Sequence, residues 1–250
     1  MAFIHRARNP GLWLPKRQPV GVHEMTPALP AISFQARSQR NHGVASTGLI
    51  VRGDSAMPPR VIGQAGVCWD FSDGVNSNAP TTPRTFYSQT NTTNLRSTIE
   101  AVISIRPNGF SQWFGGFSNQ SFGRGGSYGR ILGVHADGRL FYYTYDGGLK
   151  TTFSRAAVPT GEPLHIIAVS STNRIEIYVN GVSQGALGTA NAGEWTNPNY
   201  AVVGHGNTPY HTPGQCCSQI YYMNWFFDAL NLSEIALRGA SPWRFLQPAG

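Results

Sequence analysis

The sequence predicts an all-β protein, an antiparallel sandwich of two sheets. Three observations carry this. First, Leu164 to Gly185, LHIIAVSSTNRIEIYVNGVSQG, holds an apolar run, a polar turn and a strictly alternating run. Ile175, Ile177 and Val179 face one way and Arg174, Glu176 and Tyr178 the other, the period of a strand with one buried face. Second, Asn180-Gly181 supplies the two positive-φ positions of a type I′ hairpin turn, and Val182 begins the return strand. Third, the composition suits short strands and tight turns: 12% charged, 12% aromatic, 29 glycines and 17 prolines. A helical bundle would carry more Glu, Lys and Arg. A chain of 250 residues can bury its core in one large β-domain.

The elements follow in order. TGLIVRG holds a short strand, and RVIGQAGVCWDF (Arg60 to Phe71) reads as one strand. Arg84 to Ser88 is another. In Ser97 to Arg106, Ile99, Ala101, Ile103 and Ile105 alternate with Glu100, Val102 and Ser104, which predicts an apolar and a polar face. Gln112 to Phe117 is a strand, and the Gly-, Ser- and Asn-rich stretch from Gly115 to Ser127 a loop. A meander follows: strands at Arg130–His135, Arg139–Tyr145 and Leu149–Phe153, with turns at Asp137-Gly138 and Asp146-Gly147-Gly148. Residues 155–163 read as a loop, Tyr200–Val203 and Ile220–Phe227 as strands. Asn231 to Arg238 is the one short helix, with Asn231 as cap, Glu234 three residues on as in a capping box, and Gly239 as the stop.

The net charge of +7 resembles a nucleic-acid signal until it is located. Residues 1–65 carry Arg6, Arg8, Lys16, Arg17, Arg37, Arg40, Arg52 and Arg60 against Glu24 and Asp54, so nearly all the excess lies there. Residues 1–45 hold five prolines in the first thirty positions and no sustained periodicity. They are expected to form an extended basic arm, with residues 46–250 as the folded domain. Arg6, Arg8, Trp13, Lys16, Arg17 and Phe34 are its candidate docking residues. The alternative is an arm that packs back on its own domain. No apolar stretch has the length of a signal peptide core or a membrane helix. Three cysteines, Cys68, Cys216 and Cys217, predict reduced thiols, with Cys68 a small buried hydrophobe.

These pieces resemble a family. TGEPLHIIAVSSTNRIEIYVNGVSQG is similar to its central strands, Asp137-Gly138-Arg139-Leu140 to the hairpin before them, and MNWFFDALNLSEIALRGASPWRFLQP to its closing strand and helix. They are marks of the concanavalin A-like, laminin G-like jelly rolls. The resemblance spans roughly residues 60–245 and implies two curved antiparallel sheets packed face to face. The ending SPWRFLQP resembles that of laminin G-like proteins of bacteriophages and prophages. It implies a virion component assembled in the host cytoplasm, bound to other virion proteins and oligomeric.

The chemistry legible in the residues is sparse. Glycan hydrolysis by paired carboxylates needs an acid and a nucleophile or base about 5–9.5 Å apart. No strand carries Glu-x-Asp or Glu-x-x-x-Glu, and Glu100 and Glu176 read as solvated or ion-paired surface carboxylates. No enzyme activity is expected, and no cofactor. A Ca²⁺ site would draw on Asp70, Asp73 and Asp146, and a transition metal on His205, His211 and Cys216 or Cys217. Sugar binding needs aromatic platforms beside hydrogen-bonding groups. Tyr145, Asp146, Trp195, Asn207, Tyr210 and His211 meet this at loop positions, for a glycan or a protein partner. Nucleic-acid binding finds only a faint match in Arg8, Trp13, Lys16 and Arg17, and no membrane partner is expected. The expected function is a non-enzymatic virion structural protein, in capsid decoration or in a tail or fibre, with a glycan-binding adhesin as the alternative.

Overall fold

The computed structural model describes residues 30, 32–36, 38–41, 50–51, 57–72, 86–89, 96–107, 109–118, 128–145, 149–171, 174–187, 200–204 and 216–243. The strands in chain order are β1 (Ile32–Gln35), β2 (Ser38–Asn41), β3 (Ile50–Val51), β4 (Arg60–Gly63), β5 (Gly66–Asp70), β6 (Phe86–Gln89), β7 (Ser97–Ser104) and β8 (Gln112–Ser118). They continue as β9 (Tyr128–Val134), β10 (Arg139–Tyr145), β11 (Leu149–Ala157), β12 (Pro163–Ser171), β13 (Arg174–Val179), β14 (Val182–Leu187), β15 (Tyr200–Val203) and β16 (Gln219–Phe226). Helix α1 (Leu232–Ala240) closes the described chain but for a short turn.

All strand pairs are antiparallel and form two sheets. Sheet 1 runs β14-β13-β12-β7-β16-β1-β2, with β5 beside β16 and β4 on β5. Sheet 2 runs β11-β10-β9-β8-β15-β6-β3. This is the predicted all-β jelly-roll sandwich with one short C-terminal helix. The alternating residues meet between the sheets: Ile99, Ile103, Ile166 and Ile177 from sheet 1, Leu132 and Leu140 from sheet 2. Trp225 lies at the centre of the core, fully buried. Its ring meets Phe34 edge to face at 5.6 Å, and its indole N–H donates to the Gly116 carbonyl at 3.2 Å.

Phe34 therefore does not serve a docking arm. It sits on β1, which pairs with β16 through Ile32↔Trp225 and Phe34↔Met223, and its ring is wholly inside the core. An apolar residue in an otherwise basic, proline-rich strip has a place to go in its own domain. β1 and β2 belong to sheet 1, so the first 45 residues are not all outside the sandwich.

Helix α1 covers the outer face of sheet 1. Asn231 accepts from the Glu234 N–H and Glu234 Oε2 accepts from the Asn231 N–H, each at 3.0 Å: the predicted capping box. The predicted stop at Gly239 is corrected, because the helix continues through it to Ala240. Glycine is needed there for approach rather than for a cap. A Cβ on Gly239 would lie 2.5 Å from the Cα of Gly181, in the β13–β14 turn. That turn carries Asn180 at φ 50° and Gly181 at φ 79°, as its Asn-Gly pair predicts.

The cover explains a second departure. Every residue of β7 is buried, although alternation predicts a polar outer face. Ile167, Tyr178, Phe226, Leu230 and Ile235 form a second cluster between the sheet and the helix. Beyond it, Trp243 packs edge to face on Tyr221 and Tyr222, and the Tyr222 hydroxyl donates to the Pro242 carbonyl. Arg60 to Phe71 is not one strand either. It folds back at Gln64-Ala65 into the β4–β5 hairpin. Residues 155–157, expected in a loop, extend β11.

Candidate functional site: the outer face of sheet 2

Sheet 2 carries no helix on the side away from the core among the described residues. Its strands alternate, so Leu132, Leu140 and Tyr142 enter the core while Ile131, Phe141, Tyr143 and Phe153 group on the outer side with Trp113. Register aligns them. Trp113 on β8 pairs with Gly133 on β9, Gly133 with Phe141 on β10, and Phe141 with Phe153 on β11. Cross-strand neighbours on one face touch, so this is a continuous aromatic row. Gly133 makes room for it: a Cβ there would lie 2.5 Å from the Phe141 ring. Trp113, Tyr143 and Phe153 remain partly exposed.

One end of the row is charged. The chain turns at 135–138 with Gly138 at φ 85°, and the turn brings His135, Asp137 and Arg139 together. The Arg139 guanidinium lies 4.7 Å over the Phe153 ring. Asp137 Oδ2 accepts from Arg139 Nε at 2.8 Å, and Asp137 Oδ1 lies 3.1 Å from His135 Nδ1. Hydrogen bonds from the Arg139 side chain and backbone hold the Asp137 carboxyl well below the usual carboxylate range. His135 in turn meets Phe153 edge-on at 5.8 Å. A π-face flanked by fixed polar groups can stack on a sugar ring and hydrogen-bond its substituents.

Of the sequence-predicted ligand residues, Tyr145 ends β10, paired through its backbone with Leu149. Asp146, Trp195, Asn207, Tyr210 and His211 lie outside the described residues, as do Arg6, Arg8, Trp13, Lys16 and Arg17. Of the Ca²⁺ candidates, Asp73 and Asp146 are likewise outside, and Asp70 is committed elsewhere. Its two oxygens accept from Arg106 Nη1 and Nη2 at 3.0 and 3.2 Å, and it also takes bonds from the Ser72 N–H and Gln219. No group of three His, Cys, Asp or Glu is placed to hold a metal among the described residues. All three cysteines are free and buried. Burial pushes the Cys68 and Cys217 thiols up to about 11 and that of Cys216 higher still, so near neutral pH they rest as protonated thiols.

The expectation of surface positions for Glu100 and Glu176 is corrected. Glu100 is 1% exposed, on the outer side of β7 beneath α1. It accepts from Arg238 Nη1 at 2.9 Å, Asn224 Nδ2 at 2.8 Å and His165 Nε2 at 3.0 Å. Burial alone would raise its pKa. The His165 hydrogen bond, the charges of Arg238 and His165 and the Asn224 bond outweigh that and hold it below the usual range. Glu176 is nearly buried, ion-paired with Arg174 and accepting from Ser183. Both carboxylates hold structure together.

Sequence reading missed the aromatic row because LFYY at residues 140–143 is aromatic on both faces. A two-residue turn at Asp137-Gly138 would set Phe141 opposite Val134; the turn spans residues 136–138 between paired His135 and Arg139, and this shifts Phe141 onto Gly133.

These features define a β-sandwich whose helix-covered sheet is a scaffold and whose second sheet offers an outer face. A laminin G model of the concanavalin A-like lectin/glucanases superfamily matches residues 73–236, and the chain belongs to that family. No curated protein matches it. Solved structures of the same fold include the binding domain of Paraclostridial Mosquitocidal Protein 1 (15% identity, TM-score 0.60, 84% of this chain and 52% of that one). The botulinum neurotoxin serotype D binding domain is another (10%, 0.59, 84% and 50%). A third is domain 4 of AbnA, an extracellular arabinanase of Geobacillus stearothermophilus, solved with arabinotriose (11%, 0.58, 84% and 98%). The chain spans about half the length of the two toxin binding domains. At these identities the likeness is one of fold. No helix among the described residues is long and apolar enough to cross a membrane.

Proposed function

We propose that the protein is a non-catalytic, carbohydrate-binding jelly-roll module that takes its ligand on the outer face of sheet 2. The observation that carries this reading is the Trp113–Gly133–Phe141–Phe153 row, bordered by His135, Asp137 and Arg139. A non-catalytic role is favoured by how five of the seven described carboxylates are used, the other two being exposed Glu162 and Asp228. Asp70 and Asp137 are held by arginines, Glu100 and Glu176 are tied into networks, and Glu234 caps α1. A glycan array of wild type, Trp113→Ala and Trp195→Ala tests the reading. Binding lost in Trp113→Ala supports the sheet face. Loss only in Trp195→Ala moves the site to the loops, and no binding by wild type refutes the reading.

A second reading concerns where the module works. The SPWRFLQP ending and the basic, proline-rich opening favour a bacteriophage particle, as capsid decoration, tail or fibre, in an oligomer docked by its N-terminal strip. Because β1 belongs to the sandwich, the deletion that tests this is residues 1–29. The shortened chain should fold and fail to join the particle; normal incorporation would refute arm docking.

A further inference from the structure

We propose that the ligand of the sheet-2 face is an acidic saccharide, whose carboxylate is met by Arg139. The proposal rests on the carbohydrate reading above and adds the ligand's charge. Arg139 is fixed on two sides. Phe153 lies beneath its guanidinium at 4.7 Å, and Asp137 Oδ2 takes both Nε and Nη2 at 2.8 Å. Its side chain is nevertheless 40% exposed. The Nη1 edge has no ion pair or hydrogen bond among the described residues, so a planar donor edge stands ready beside the aromatic row.

A held guanidinium suits a carboxylate, because its paired N–H groups match two oxygens and little side-chain entropy remains to be lost. Arg155, two residues beyond Phe153 on β11, is exposed and adds positive charge to the field. The one described carboxylate of this cluster, Asp137, is occupied by Arg139, His135 and the Arg139 N–H. A neutral sugar would stack on the row and leave the Arg139 edge to water. A uronate or another carboxyl-bearing sugar would use both.

The test titrates the full chain with carboxyl-bearing oligosaccharides and their carboxyl-reduced counterparts. A charge-assisted pair predicts at least about tenfold tighter binding of the acidic form. In Arg139→Gln the two forms should bind within about twofold of each other. Should that variant fail to fold, wild type answers alone: raising salt from low to high should weaken the acidic form and leave the neutral one. Equal binding of both forms by wild type overturns the acidic-ligand proposal and leaves the carbohydrate reading standing. Binding of neither form, with no hit on the glycan array, overturns both.

Discussion

Replacing Arg238 by methionine tests whether the network under α1 holds the helix to sheet 1. Arg238 and Glu100 are each 1% exposed, joined at 2.9 Å, and the guanidinium also lies 4.5 Å over Phe226. Methionine keeps much of the volume and removes the charge. Glu100 is then a buried carboxylate that keeps its hydrogen bonds from His165 and Asn224 but has lost its arginine. Breaking a buried pair by removing one partner costs about 3–5 kcal/mol. At about 2–4 °C per kcal/mol for a chain of this size, thermal unfolding should come about 6–20 °C lower. The sign of the pH dependence is also set. In wild type the Glu100 pKa is depressed, so its contribution is present above the ordinary glutamate value of about 4.3 and lost as pH falls through the folded one. In Arg238→Met the carboxylate loses its strongest cation, its pKa rises, and protonation relieves the strain. Calorimetry from pH 7 to pH 4 should show the gap between variant and wild type narrowing. Adding Glu100→Leu should restore much of the loss. A shift below about 2 °C at pH 7, or a gap that widens toward acid, would refute the argument.

Gly239→Ala should destabilise, by about 1–3 kcal/mol, because its methyl meets the Gly181 backbone; helix propensity alone predicts a gain, so the sign of the change in unfolding midpoint decides. The three buried thiols should resist a thiol reagent at pH 8 in the native protein and react only on unfolding; rapid native labelling would contradict their placement. Asp70 is lowered despite burial, by hydrogen bonds from Ser72 and Gln219 and the charge of Arg106. Its contribution should therefore be present above the ordinary aspartate value of about 3.9 and fade below it, and Asp70→Asn should flatten that part of the stability–pH curve. Arg106 is 41% exposed, so the loss at pH 7 should be only about 1 kcal/mol.

Short apolar or alternating runs bounded by turns were legible: Leu164–Val169, Arg174–Val179 and Tyr200–Val203 lie within or match β12, β13 and β15. The Asn231 cap was legible because capping is local chemistry. What failed needed tertiary partners. The β4–β5 turn at Gln64-Ala65 has no Asn, Asp or Pro to mark it. Gly239 resembles a helix stop in sequence and is a contact in space. Phe34 sits in an unpatterned strip and enters the core because β16 offers an edge. Glu100 reads as solvent-facing until α1, about 130 residues later, brings Arg238 over it. The aromatic row depends on register across four strands, which no single segment encodes.

The central claim is that ligand meets the outer face of sheet 2. The most direct measurement is a nuclear magnetic resonance titration with the best glycan from the array, following the Trp113 indole N–H and the Gly133 amide. The account predicts that both shift, with the strongest changes on β8, β9, β10 and β11. Shifts confined to α1 and sheet 1 would contradict it.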